Sequence, residues 1–322
     1  YAAQPLTPGY CALSMLFSDW QGQGWADLRV SNDRHYYVSG GQEQLWAMEQ
    51  APRLYTEAEG WKPYALWGMG IAARDLDLDG RTEVYLTSMG DQRLQNMARE
   101  DAPHWEDVPF ETGATAHRPY MGGDGRPSTG WHVSFGDVTN DGRDDIFVSK
   151  GNVEQMPGSA MEDPNNLLLQ MGDGSFAEAG AAAGIGSLHR GRGAALVDLN
   201  ADGLLDLAVV NRRAPMELFR NVTAHAGNWL SLQLHQEAPN LGAVGAFIEV
   251  KSDPDLRRRE VQIGGGHAGG ASGPEHFGLG AAKRVSLRVI WPDQQVSDWI
   301  VVDTNQRLRL IRTADGLRVA PY

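Results

Sequence analysis

Three nine-residue segments of this chain place oxygen-bearing side chains at the same offsets. The first has Asp75, Asp77 and Asp79 at positions one, three and five, Gly80 at position six, Arg81 at position seven and Glu83 at position nine. The second sets Asp137, Thr139, Asp141, Arg143 and Asp145 at those offsets, and the third Asp198, Asn200, Asp202, Leu204 and Asp206. In a tight turn, side chains at alternate positions point inward. The glycine supplies the freedom for the bend, and the carbonyl at position seven adds an oxygen. Four carboxylates are expected to converge in the 75–83 loop. Two like charges about 4 Å apart repel by roughly 4 kcal/mol at an effective dielectric near 20. Without a cation such a loop should open or take up protons.

A hard ion that accepts many flexible oxygen ligands suits this donor set, which points to calcium rather than to strictly octahedral magnesium. The spacing shares its start with an EF-hand loop, but the flanks read as strands. About three Ca2+ sites are therefore expected, structural in role because every ligand comes from the protein. With free calcium tenfold above the dissociation constant, each site would add about 1.4 kcal/mol. The competing reading is a plain Asp-Gly turn held by side-chain-to-backbone hydrogen bonds. A fourth copy keeps Asp19 and Asp27 but has Gln21 and Gln23 between them, and is expected to be metal-free or weakly occupied. Asp144 is expected to face away from its ring.

The elements that position these loops repeat with them. The four segments begin at residues 19, 75, 137 and 198, a period of about 60 residues. Small and apolar stretches precede three of the loops (68–73, 130–135, 193–197), and short β-branched or apolar runs follow them (84–87, 146–149, 207–210). Runs of four to six such residues between turn signals read as strands. Residues 166–170 and 175–177, joined by Gly172-Asp-Gly174, read as a hairpin. Each unit then holds about four short strands, as a propeller blade does. Stacked units cover faces that one unit alone leaves open.

Composition agrees with a folded, turn-rich chain. There are 322 residues, 39 of them glycine, with 42% hydrophobic and 21% charged residues. The net charge of -13 argues against a nucleic-acid partner, which would call for clustered Lys and Arg. No apolar run is long enough for a transmembrane segment. The lone Cys11 excludes an internal disulfide and a paired-cysteine zinc site. The start at Tyr1, without Met, reads as a mature or trimmed product.

The repeats resemble FG-GAP/VCBS repeats, the blades of integrin-type β-propellers, most clearly at 137–145, 198–206 and 166–176. Further along, 228–234, 242–250 and 260–266 read as strands, 276–280 as a turn, and 288–293 closes a pattern similar to the ASPIC and UnbV domain. That domain follows such repeats in bacterial relatives of cartilage acidic protein. The resemblance implies an all-β chain: a β-propeller of four-stranded blades over 1–222, about four repeats being visible, then a small β-sandwich-like domain over 223–322. It also implies a calcium-dependent, extracellular or periplasmic protein with a role in adhesion, recognition or assembly. The sequence departs from the pattern at 264–270, a glycine-rich run where the family carries an aromatic residue and Ser-Gln, and in having four units where seven are common.

Catalytic signals are weak. Nine histidines, among them His35, His132, His267 and His276, show no paired metal spacing, and no nucleophile elbow surrounds Ser272. The 264–270 run follows a strand but opens no helix, so it reads as a turn rather than a dinucleotide loop. The abundant tryptophans read as plugs between blades, and the 257–259 arginines as a solvated hairpin tip. Asn221-Val-Thr223 matches a glycosylation sequon. The long loops 118–130 and 152–164 are candidate recognition elements. The expected function is a non-catalytic, calcium-binding extracytoplasmic module that binds or scaffolds a protein or carbohydrate partner. Two alternatives stand beside it: an accessory subunit of a larger extracytoplasmic complex, and a propeller-based polysaccharide lyase or hydratase.

Overall fold

The computed structural model describes residues 3–33 and 41–322; His35 lies outside them. The described residues are all-β apart from two short 3-10 turns, and their strands form six small sheets. The first four sheets follow the repeat. Sheet one is β1 (Ala12–Ser18), β2 (Asp27–Asn32), β3 (Gln44–Ala47) and β4 (Arg53–Leu54). Sheet two is β5 (Gly70–Arg74), β6 (Glu83–Thr87), β7 (Arg93–Arg99) and β8 (His104–Asp107). Sheet three is β9 (Gly130–Gly136), β10 (Asp145–Lys150), β11 (Asn166–Gln170) and β12 (Phe176–Glu178). Sheet four has three strands rather than four: β13 (Gly191–Val197), β14 (Asp206–Asn211) and β15 (Glu217–Phe219). Each is an antiparallel meander in chain order.

The four acidic segments are the turns between the first and second strands of these sheets. Their registers match. Ser18 pairs with Asp27, Arg74 with Glu83, Gly136 with Asp145, and Val197 with Asp206. The last residue before each loop thus always faces the acid at its ninth position, because the same nine residues close the same hairpin.

Apolar residues alternate between the two faces of each strand, so sheets two and three each pack on both neighbours. Leu16, Leu45, Ile71 and Leu86 share one cluster between sheets one and two. Tyr85, Val133, Ile146 and Leu168 share the next, and Phe147, Leu167, Leu207 and Val209 the third. Trp61 and Trp105 are buried between sheets one and two, with Trp20 edge-on to Trp105 at 5.5 Å, as inter-sheet plugs. First strands lie side by side along the series, β1 with β5, β5 with β9, β9 with β13. All four line one cavity of about 770 Å³.

The C-terminal residues form two further sheets: β16 (Asn228–His235), β19 (Glu275–Gly280), β22 (Gln306–Thr313) and β23 (Gly316–Pro321) in one; β17 (Phe247–Ser252), β18 (Asp255–Glu260), β20 (Arg284–Ile290) and β21 (Ile300–Asp303) in the other. Pairing of β16 with β22 is parallel. Leu232, Ile248, Phe277, Leu287 and Leu310 come from both sheets into one buried cluster.

Four sequence expectations fail here. The third strand is 255–260 rather than 260–266, because Gly264, Gly265 and Gly266 all take positive φ and turn the chain. Residues 276–280, expected as a turn, belong to β19. The strand expected from 242 starts only at Phe247, after turns at Ala243 and Gly245, both with positive φ. The 257–259 arginines are no solvated tip: Arg257 and Arg259 are buried within β18.

Candidate metal loops and the joint beside them

All four acidic turns share one backbone course. The residue at position four is left-handed in each (Gly22, Leu78, Asn140, Ala201), and so is the glycine at position six (Gly24, Gly80, Gly142, Gly203). The aspartate at position one accepts the position-six amide: Asp19 from Gly24 at 2.7 Å, Asp75 from Gly80 at 3.1 Å, Asp137 from Gly142 at 2.6 Å, Asp198 from Gly203 at 3.1 Å. The acid at position nine accepts the position-two amide in three of them: Glu83 from Leu76 at 2.6 Å, Asp145 from Val138 at 3.0 Å, Asp206 from Leu199 at 3.1 Å. The two end carboxylates therefore hold the loop closed from both sides.

The loops differ in what they leave for an ion. In 75–83, Asp75, Asp77 and Glu83 bring one ligand atom each to within 4.8 Å of one another. Asp75 Oδ1 is buried and has no hydrogen-bond partner among the described residues, so this oxygen fits a cation ligand. Burial first, then Asp79 and Asp77, push Asp75 up to about 7, and burial pushes Glu83 up to about 8. Asp79, the expected fourth carboxylate, instead pairs with Arg81. It is partly exposed, and the guanidinium two residues on offers a counter-charge without burial. The convergence is thus of three carboxylates rather than four.

In 137–145 burial raises Asp137 to about 7, with Asp144 adding to it, and raises Asp145 to about 8. Asp141 is drawn to Arg143. With Thr139 at position three, the loop sets two carboxylates, Asp137 and Asp145, behind a hydroxyl. In 198–206, Asp202 accepts from Asn200 at 2.9 Å and lies 3.4 Å from Arg220, while Asp206 also accepts from the Asn221 amide at 2.8 Å. Among the described residues, three acids that converge closely are found in the 75–83 loop alone.

The 19–27 turn has its ninth-position acid taken by other donors. Asp27 accepts from Trp20 Nε1 and Tyr55 Oη, both at 2.8 Å, and from the Met48 amide at 3.0 Å. Both aromatic donors sit on Oδ2 and the Met48 amide on Oδ1, so each oxygen that an ion would use already has a donor.

Asp144 turns away from its ring, toward the C-terminal sheets. Arg259 Nη2 donates to both its oxygens at 2.7 and 2.9 Å, and Arg74 lies at 3.6 Å. Burial raises the Asp144 carboxyl, but Arg259 and Arg74 outweigh it and hold the group below its ordinary value. Sequence reading missed these partners because Arg259 is 115 residues away.

The large cavity gathers His132, His267 and the 264–273 segment. His132 Nε2 contacts Ser134 Oγ at 2.6 Å and His267 Nδ1 contacts the Met69 carbonyl at 2.8 Å. Burial lowers His132 to about 4 and also lowers His267. Both rings are neutral and tied to the scaffold at neutral pH. Gly266 exchanges backbone hydrogen bonds with Ile71 in β5, at 2.6 and 3.0 Å. The run expected as a turn is therefore also a wedge against the first strands. The long loops 118–130 and 152–164 are tied together by Asp163, which accepts from Ser128 and Thr129 at 2.8 and 2.6 Å. The sequon amide of Asn221 donates to the carbonyls of Val138 and Leu205.

Comparison with known proteins places part of this architecture. Residues 236–316 match the ASPIC and UnbV family model. Human cartilage acidic protein 1 is 30% identical over 170 residues, 49% of this chain and 23% of that protein. The mouse protein is 29% identical over 161 residues, again 23% of its length, and the Xenopus tropicalis protein 32% over 101 residues. A solved structure of an Agrocybe aegerita lectin, described as recognising non-reducing terminal N-acetylglucosamine, is 16% identical with a TM-score of 0.32, over 67% of this chain and 54% of the lectin. That score is too low to carry a fold or ligand assignment. None of these names states a catalytic activity. The chain spans under a quarter of the human and mouse relatives it matches, carries a C-terminal ASPIC and UnbV domain, and is distantly homologous to the cartilage acidic proteins.

Proposed function

We propose that this chain is a non-catalytic, calcium-stabilised binding or scaffolding module that works outside the cytoplasm, with its first four sheets as blades of a β-propeller and its last two as a small sandwich. The proposed division falls near residue 222. The observation that carries the reading is the fourfold recurrence of one hairpin turn, with the same register, the same two left-handed positions and the same hydrogen bond from the position-six amide to the position-one aspartate. Stacking of each sheet on the next and a cavity lined by all four first strands support a blade arrangement.

Calcium would be held by Asp75, Asp77 and Glu83, with Asp79 and the Arg81 carbonyl completing the shell; by Asp137, Thr139, Asp141, the Arg143 carbonyl and Asp145; and by Asp198, Asn200, Asp202, the Leu204 carbonyl and Asp206. Its contribution is counter-charge, since carboxyls that burial raises toward neutrality favour the ionised form once a cation sits between them. A setting rich in calcium, extracellular or periplasmic, follows from that need. No helix among the described residues is long and apolar enough to cross a membrane.

Calcium titration calorimetry on protein stripped with EDTA, followed by scanning calorimetry with and without calcium, tests this. Binding of about three ions with a rise in melting temperature is expected; no binding sinks the reading. A second reading, a subunit of a larger assembly, is favoured by sheet four: it has one strand fewer than its neighbours and leaves Val210 and Leu218 exposed. Native mass spectrometry of material isolated from its source separates the two. The protein or carbohydrate partner of either would be identified by co-purification and glycan-array binding. The lyase or hydratase reading finds its best-placed histidines, His132 and His267, already engaged by Ser134 and Met69.

A further inference from the structure

The first four sheets stack in one sense, and register shows which side of each faces onward. Two residues past the ninth position of each loop stand Arg29, Tyr85, Phe147 and Ala208. Each pairs with a leucine on the third strand of its sheet: Leu45, Leu94, Leu167 and Leu218. The first three leucines lie in the clusters that join a sheet to the next, and are 2%, 3% and 7% exposed. Leu218 holds the same place in sheet four and is 60% exposed. The front of sheet four therefore keeps the leucine of a sheet-to-sheet contact without the sheet that would cover it.

The back of sheet one shows the converse. Four and two residues before each loop stand the side chains that face the preceding sheet. Ile71 and Ala73 pack in the cluster with sheet one, Val133 and Phe135 in that with sheet two, Ala194 and Leu196 in that with sheet three. In sheet one these places belong to Met15 and Phe17, which are 59% and 40% exposed. They pair with Val30 and Leu28. Leu6 packs on Leu28, Val30 and Trp46, so the open part of this face is the innermost strand β1. Among the described residues no apolar cluster joins sheet four to sheet one within the chain.

The two open faces match in size. Where Phe147 fills the front of sheet three, the back of sheet four answers with the small Ala194. On the front of sheet four the place of Phe147 is taken by Ala208, and the back of sheet one offers the larger Met15 and Phe17. Large against small is how facing layers interdigitate. The polar link between sheets changes too. Thr87 Oγ1 donates to the Trp131 carbonyl at 2.6 Å and Ser149 Oγ to the Arg192 carbonyl at 2.7 Å, each tying a sheet to the next. The corresponding residue of sheet four is Val210, 53% exposed. A contact built on Val210 leaves no buried hydroxyl to satisfy, which suits an interface formed between separate chains.

We infer that the front of sheet four docks on the back of sheet one of a second copy of this chain, repeating between chains the contact made three times within each. Two copies related by a two-fold axis use both faces reciprocally, so the contact is made twice and both apolar faces are covered. The inference names the partner in the second reading above. It rests on the stacked-blade arrangement and not on calcium.

The test is the mass of the full chain in solution, by light scattering after size exclusion at micromolar concentration with calcium present. Twice the chain mass is expected. Phe17→Glu and Leu218→Glu each put a carboxylate into the contact and should each give single chains, with folding checked by circular dichroism. A mixture of the two variants should recover a dimer in native mass spectrometry, because the Phe17→Glu copy keeps its sheet-four face and the Leu218→Glu copy keeps its sheet-one face. A wild-type chain that stays single overturns the inference, as does a mixture that stays single or a dimer that survives both substitutions. Loss of the dimer in Leu218→Glu alone also overturns it, since that marks sheet four docking on itself. If either variant does not fold, Met15→Glu and Val210→Glu take their places. Small-angle scattering of the single chains separates this from the blade reading. A profile that departs from stacked sheets overturns both, whereas a matching profile from a single-chain wild type overturns the docking alone.

Discussion

Lys150 Nζ lies 3.0 Å from Asp163 Oδ1 with both side chains wholly buried. Asp163 also takes hydrogen bonds from Ser128 and Thr129, so one carboxylate joins the end of β10 to both long loops. Burying two charges is costly, and the pair is held because each supplies the other's counter-charge. Removing one partner leaves the other uncompensated. Asp163→Asn and Lys150→Met should each lower unfolding free energy by roughly 3–5 kcal/mol. Urea denaturation checks this, and a loss below 1 kcal/mol for both would show the pair to be dispensable.

Gly80 and Gly203 hold the sixth position of their loops at nearly the same φ, +84° and +85°. Around Gly80 a Cβ would meet nothing within 4 Å, whereas at Gly203 it would run into Trp229. Gly80→Ala should therefore cost only the backbone strain, about 1 kcal/mol. Gly203→Ala should cost that plus overpacking of roughly 1–3 kcal/mol. Equal losses in thermal unfolding would mean that the C-terminal sheets do not press on this loop.

Asp27 is held by Trp20 and Tyr55. Trp20→Phe keeps most of the ring but removes a donor, and should destabilise by about 1–3 kcal/mol. Because the 19–27 loop is read as metal-free, calcium stoichiometry measured by calorimetry should not change. A lost ion in that variant would contradict the assignment.

Glu43 supplies a pH dependence away from the loops. It is fully buried, accepts from the Asn32 amide at 3.0 Å, and burial raises it to about 7 against the influence of Asn32 and Arg29. A raised folded pKa means that the folded state binds the proton more tightly than the unfolded state. The associated stability is complete below about 4.5 and is lost as pH rises through about 7, a loss of roughly 3 kcal/mol. Denaturant midpoints measured from pH 4 to pH 8 should show that slope, and Glu43→Gln should remove the Glu43 share of it, leaving the share of the raised loop carboxyls. An unchanged slope in the variant would assign it to other groups.

The local parts of this protein were readable from residue type and spacing. An acid at positions one and nine with glycine at six sets a hairpin turn through contacts between residues at most nine apart, so the four turns and the strands flanking them follow from the chain alone. Alternation of apolar residues likewise marks β6, β10 and β14. Tertiary structure decided what distant residues contribute. Asp79 turns to Arg81 rather than inward, Asp27 is filled by Tyr55, and Asp144 meets Arg259. Three successive glycines at positive φ turn the chain at 264–266, and packing of β18 on the 137–145 loop buries Arg257 and Arg259, which composition alone would place in water. Charge on a side chain is visible in a sequence; its counter-charge, when it comes from another sheet, exists only once the sheets have packed.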